Sequence, residues 1–154
     1  MTKIFIDGSQ GTTGLKIFDR LAKREDIELI TLPENLRKDT DARKGALNSA
    51  DIAFLCLPDA AAIEAVSLIE NENTIVIDTS TAHRTNDGWA YGFPELSEEF
   101  ETKLKNSNRI AVPGCYASGF IALVKPLVDA GIVDSDICIA CHALSGYSGA
   151  GKNG

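Results

Sequence analysis

"KIFIDGSQGTTG", residues 3–14, is where the fold is decided. "KIFID" (3–7) is an apolar run of strand length, followed at once by a glycine-rich turn. Beyond the turn, Leu15, Phe18, Leu21 and Ala22 recur at the spacing of one helix face. Gly8, Gly11 and Gly14 form G-x-x-G-x-x-G rather than the commoner G-x-G-x-x-G. The demands of a phosphate-cradling turn are still met. One glycine permits the tight strand-to-helix turn, one lets backbone amides approach a pyrophosphate, and one lets the helix pack on the strand. Thr12 and Thr13 add hydroxyl donors at the same helix N-terminus. The alternative is a βα turn with no ligand, but glycines this regular at the first βα junction favour a bound nucleotide.

Outward from this stretch, strand and helix signals alternate. "IELITL" (27–32) reads as a second strand ended by Pro33, and a short helical patch covers Ala42 to Asn48. "DIAFLCLP" (51–58) is a third strand, with Asp59 placed to cap a helix carrying Ile63, Val66 and Ile69. "TIVIDTS" (74–80) and "RIAV" (109–112) are further strands, separated by a turn-rich aromatic loop over 81–96. Loops of that length inside compact domains are usually functional. A helix from about Tyr116 to Ala130 follows, with Phe120, Leu123, Val124, Leu127 and Val128 on its apolar face and Pro126 bending it. "DICIACHAL" (136–144) reads as a last strand before the glycine-rich "SGYSGAGKNG". Strands apolar on both faces and separated by helices predict an α/β fold, a doubly wound, mostly parallel, Rossmann-like sheet.

With 154 residues, 44% hydrophobic and 24% charged, the chain suits one compact soluble domain. Its net charge of -7 leaves no basic stripe for nucleic acid, though a small anion needs only a local cation or two. No segment reaches membrane-spanning length and no signal peptide is visible at the start. Four cysteines without an exported start suggest free thiols in a reducing cytoplasm.

Among those thiols, Cys115 stands apart. It follows the Pro113-Gly114 break and opens a helix, where free backbone amides and the helix dipole favour a thiolate. Gly114 and Gly119 leave room for a substrate, and in a doubly wound sheet ligands bind at the carboxyl ends of strands. A buried cysteine filling space is the competing reading. Cys56, inside "FLCLP", reads as core, and Cys138 and Cys141 would face opposite sides of a strand with no second pair to complete a zinc site. His83 and His142 are each either a base or a structural histidine. Arg84 is either a surface charge or a fork for a carboxylate or phosphate. Glu34, about 20 residues past Gly14, suits the ribose hydroxyl of NAD. Arg37 and Lys38 suit the 2′-phosphate of NADP instead, and the spacing alone leaves both open.

Taken together, "GSQGTTG", "FLCLPD", "VIDTSTAHR", "WAYGFPEL", "PGCYASG" and "SGYSGAGK" resemble the shorter type of the N-acetyl-γ-glutamyl-phosphate reductase family, within the semialdehyde dehydrogenase superfamily. Gly114 and Tyr116 separate the chain from the related aspartate-semialdehyde dehydrogenases, which carry an asparagine before the catalytic cysteine. The resemblance implies a cytoplasmic, NADP-using enzyme of arginine biosynthesis with Cys115 as nucleophile. Arg84 and Gly114 would then bind a small acyl-phosphate substrate. Gly8, Gln10, Gly11, Thr12, Thr13, Gly14 and Arg37 would hold the cofactor, with Ser145, Gly146 and Gly149 closing over its nicotinamide end.

It further implies a cofactor domain over 1–114 and the start of a substrate and dimerisation domain over 115–154. Family members continue for about as many residues again and supply a histidine acid/base that neither His83 nor His142 matches. The chain alone is therefore expected to be inactive, and the full-length form a homo-oligomer. The alternative functions are a dinucleotide-binding module without turnover and, with Gly114 and Tyr116 speaking against it, an aspartate-semialdehyde dehydrogenase.

Overall fold

The computed structural model describes residues 1–144. Compactness divides the chain after Val112, into Met1–Val112 and Pro113–Gly154.

The first unit is a six-stranded sheet in the order β2-β1-β3-β4-β6-β5, and every pair is parallel. Its strands are β1 (Thr2–Asp7), β2 (Ile27–Ile30), β3 (Ile52–Leu55), β4 (Ile75–Asp78), β5 (Ala90–Tyr91) and β6 (Arg109–Ala111). The helices between them are α1 (Thr12–Leu21), α2 (Thr40–Ser49), α3 (Asp59–Ser67) and α4 (Glu98–Lys105). Side-chain alternation along β1 sorts the two faces. Phe5 joins Ala53, Leu55 and Val76 under Ala46, Leu47 and Ala50 of the α2 region and Ala65 of α3. Ile4 and Ile6 join Ile27 beneath Ile17, Phe18 and Leu21 of α1. The chain therefore winds onto one face after β1 and onto the other after β2. That reversal makes the carboxyl edge between β1 and β3 the switch point where such sheets open a crevice.

Several local expectations are corrected. Leu15 is exposed and Ala22 lies beyond α1 on the surface; Ile17 takes the inward place. Asp59 is the first residue of α3 rather than its cap, which is Pro58. Its carboxylate instead accepts from the Thr81 N–H at 2.9 Å and the Thr81 hydroxyl at 2.5 Å. The loop over 81–96 contains β5 and a short 3-10 turn, Pro94–Leu96. It leads into α4, capped by Ser97.

In the second unit, α5 runs Cys115–Asp129 and continues through Pro126. No residue of α5 is buried, and Phe120, Leu123 and Leu127 of its apolar face are exposed. Residues 136–144 form no strand. A strand is held by a neighbour's ladder, and none among the described residues pairs with this segment, so Ile137, Ile139 and Leu144 stay exposed.

Candidate active site

At the carboxyl edge of the first unit, β1 ends in Asp7 and the backbone turns through Gly8 at φ 83°, a left-handed conformation that glycine adopts without strain. The Gly11 N–H donates to the Gly8 carbonyl at 3.0 Å, closing the turn. A Cβ on Gly8 would stand 2.3 Å from the Cys56 carbonyl oxygen, and one on Gly14 would stand 2.3 Å from that of Gly8. These two glycines let β1, β3 and α1 touch. Gly11 is different, since its Cβ would come no nearer than 3.4 Å to anything. It caps α1 with no side-chain bond, leaving the first-turn amides open beside exposed Gln10, Thr12 and Thr13. A helix N-terminus left uncapped, opening beside a glycine whose position is clear of close contacts, fits a pyrophosphate.

Beneath the turn lies a buried ion pair that sequence reasoning missed. Arg43 of α2 donates through Nε at 3.1 Å and Nη2 at 3.0 Å to one oxygen of Asp7, and through Nη1 at 3.4 Å to Glu64 of α3. Desolvation raises the Asp7 carboxyl above its ordinary 3.8, opposed by the Arg43 hydrogen bonds and charge. Thirty-six positions separate the partners, so no local pattern announces them. Cys56, at the end of β3, has its thiol pushed up to about 11, chiefly by burial, which suits a structural role.

Arg37 follows the 3-10 turn Glu34–Leu36 beyond β2, and Glu34, Arg37 and Lys38 are all exposed. Arg84 follows β4 on the same carboxyl edge as the glycine turn. Its Nε donates to the Val112 carbonyl at 3.0 Å and its Nη2 to that of Thr79 at 3.4 Å. Among the described residues no carboxylate forms an ion pair with it, although Asp59 feels its charge. A guanidinium held by two neutral carbonyls keeps its charge available for an anion. His83 is buried against Asp78. The spacing of Asp78, Ser80 and His83 in "DTSTAH" is the local signal that could have revealed this group.

In the second unit, Cys115 is the first residue of α5 and is exposed. Gly114 caps the helix without a side-chain bond, and its carbonyl accepts from the Ser118 N–H at 2.9 Å and the Ser118 hydroxyl at 2.7 Å. The first-turn amides of Cys115, Tyr116 and Ala117 precede that first helical bond and remain donors without a helical acceptor. Gly119 faces open space. Cys138, Cys141 and His142 are exposed, and no group of metal-ligating side chains occurs among the described residues. Ser145, Gly146 and Gly149 lie outside the described residues. No helix among the described residues is long and apolar enough to cross a membrane.

An all-parallel, doubly wound sheet with a glycine cradle at its switch point defines a dinucleotide-binding α/β protein. Residues 3–103 match the NAD binding domain of semialdehyde dehydrogenases, and residues 115–154 match their dimerisation domain. The chain belongs to the semialdehyde dehydrogenase family.

It is 56% identical over 149 residues to N-acetyl-gamma-glutamyl-phosphate reductase 2 of Pseudomonas putida, a match covering 97% of this chain and 48% of that protein. It is 52% identical over 151 residues to the N-acetyl-gamma-glutamyl-phosphate reductase of Trichormus variabilis, covering 98% and 47%. The chain thus spans about half the length of the curated relatives it matches. Among solved structures, aspartate semialdehyde dehydrogenase from Francisella tularensis aligns with a TM-score of 0.63 at 15% identity, over 85% of this chain and 42% of that one. The Candida albicans enzyme with NADP aligns at 0.58 and 18%, over 84% and 47%. At such identities these neighbours support the fold alone.

Proposed function

We propose that the chain supplies the cofactor domain and the nucleophile of an NADPH-dependent N-acetyl-γ-glutamyl-phosphate reductase, a cytoplasmic enzyme of arginine biosynthesis that is oligomeric in its whole form. The observation that carries this reading is an exposed thiol heading a 15-residue helix. It does so in a chain 52–56% identical to proteins bearing that reductase name. The relatives favour an enzyme over a module that only holds cofactor.

The Cys115 thiolate attacks the acyl carbon of the substrate and expels phosphate, an anion of the kind the Arg84 guanidinium is free to bind. A thioester on Sγ remains. The amides of Cys115 and Tyr116 donate to the oxyanion formed in this attack. The thioester is a better hydride acceptor than a carboxylate, and hydride is the chemistry that NADPH would supply there when bound. A hydride added to the thioester would leave an oxyanion on that carbon; as its lone pair re-forms the C=O bond, the carbon–sulfur bond breaks, the electron pair returns to Sγ and the semialdehyde leaves. Gly8, Gly11 and Gly14 with Gln10, Thr12 and Thr13 would hold the pyrophosphate region, and Arg37 would pair with the 2′-phosphate. Gly114 leaves space for the substrate beside the sulfur.

Steady-state reduction of the acyl phosphate by the whole protein, with each nicotinamide, tests the reading. NADPH should be preferred over NADH, and Arg37→Ala should erode that preference by about tenfold, the scale of one charge-assisted contact. Cys115→Ser should abolish turnover. Equal use of both cofactors by the parent would reverse the cofactor assignment, and turnover by the serine variant would remove the covalent route.

A further inference from the structure

Asp78 closes β4 fully buried, and its carboxylate is engaged on both oxygens. Oδ1 accepts from the Ser80 N–H at 3.0 Å; Oδ2 accepts from the Ser80 hydroxyl at 2.6 Å and from His83 Nδ1 at 2.7 Å. With a carboxylate oxygen as acceptor, the 2.7 Å contact is a hydrogen bond when Nδ1 carries the ring's proton. The imidazole also stacks on Trp89, with centroids 4.1 Å apart and planes 14° from parallel. One contact fixes the ring's edge and the other its face. Further tethers hold the same segment: Thr79 Oγ1 donates to the Leu55 carbonyl at 3.0 Å, and Thr81 is bound to Asp59 through both its N–H and its hydroxyl.

A connecting loop does not need a buried carboxylate, which is costly unless fully hydrogen-bonded. Here the network fixes the backbone immediately before Arg84. The guanidinium itself rests on only two carbonyls, one of them at 3.4 Å. Its aim therefore depends on where its own backbone is held. An anion site works by pre-set geometry, and a displaced donor loses most of its value.

We propose that His83 is a positioning residue for the anion site: locked between Asp78 and Trp89, it fixes the backbone from which Arg84 presents its guanidinium to a phosphate group. The proposal rests on the reading of Arg84 as the phosphate-binding residue, and the experiment separates the two.

Inorganic phosphate is titrated into the whole protein and followed on the backbone amides of residues 79–89 by NMR, with NADPH affinity measured in parallel. The variants are Arg84→Ala, His83→Leu and His83→Asn. The asparagine amide can donate to Asp78 as Nδ1 does; leucine cannot. Arg84→Ala should abolish the phosphate response. His83→Leu should weaken it about fivefold to tenfold, the scale of one ordinary hydrogen bond, and His83→Asn should stay within about twofold of the parent. NADPH affinity should hold in all three.

Parent-like phosphate binding by His83→Leu, with Arg84→Ala inactive, would overturn the role of His83 and leave that of Arg84 standing. Equal losses of phosphate and NADPH in both His83 variants would overturn it in favour of a purely structural role. A parent indistinguishable from Arg84→Ala would remove the anion site and the role of His83 with it. If His83→Leu does not fold, Trp89→Leu frees the ring without stranding Asp78. Weakened phosphate binding there supports the proposal, and unchanged binding overturns it.

Discussion

Gly8 and Gly14 serve a different purpose from Gly11, although all three look alike in the sequence. At the first two, a methyl group would be driven into backbone, which cannot swing aside as a side chain can. Gly14→Ala should therefore cost about 2–3 kcal/mol by overpacking, and Gly8→Ala more because its φ is also left-handed. Gly45 of α2 is the contrast, since a Cβ there meets nothing within 4 Å. Gly45→Ala should gain about 0.5–1 kcal/mol of stability from helix propensity. Denaturant unfolding of the three variants checks the ordering; a neutral Gly14→Ala would contradict the close packing of α1 on the turn. The regular glycine spacing was legible because it is local. The split between packing glycines and an open one was not, because Cys56 forms part of the wall from a different strand.

Among elements, the strands were readable wherever apolar runs are long enough to be buried on both faces. Helix α4, "EEFETKLK", gave little signal because Phe100 and Leu104 are its only apolar residues. Residues 136–144 have the composition of a strand but lack a ladder partner among the described residues. Asp59 was misjudged because Thr81 offers its carboxylate two donors from another loop. The Asp7–Arg43 pair joining β1 to α2 was likewise invisible. Arg43→Met should cost about 3–5 kcal/mol by leaving a buried carboxylate without its partner. The sign with pH follows from the direction of the shift. The folded-state Asp7 carboxyl is already raised above 3.8 by desolvation, and losing Arg43 raises it further. The folded variant then keeps the proton longer than the unfolded chain, so its stability falls as pH rises from about 4 through the raised value. Unfolding measured between pH 4 and pH 7 tests this, and a deficit equal at both ends would contradict it.

On the scale of the molecule, a complete parallel sheet carries the cofactor cradle and the arginine, and a separate unit begins just before the thiol. In the sequence, two residues, Pro113 and Gly114, separate Val112, whose carbonyl accepts from Arg84, from Cys115. Covalent catalysis by that sulfur can be tested without following turnover. The whole protein is mixed with N-acetyl-γ-glutamyl phosphate in the absence of nicotinamide, quenched in acid, and its peptides are weighed. The expected result is an N-acetylglutamyl adduct on Cys115, none on Cys138 or Cys141, and its discharge when NADPH is added before the quench. An unmodified Cys115 in a preparation that turns over with NADPH would contradict it.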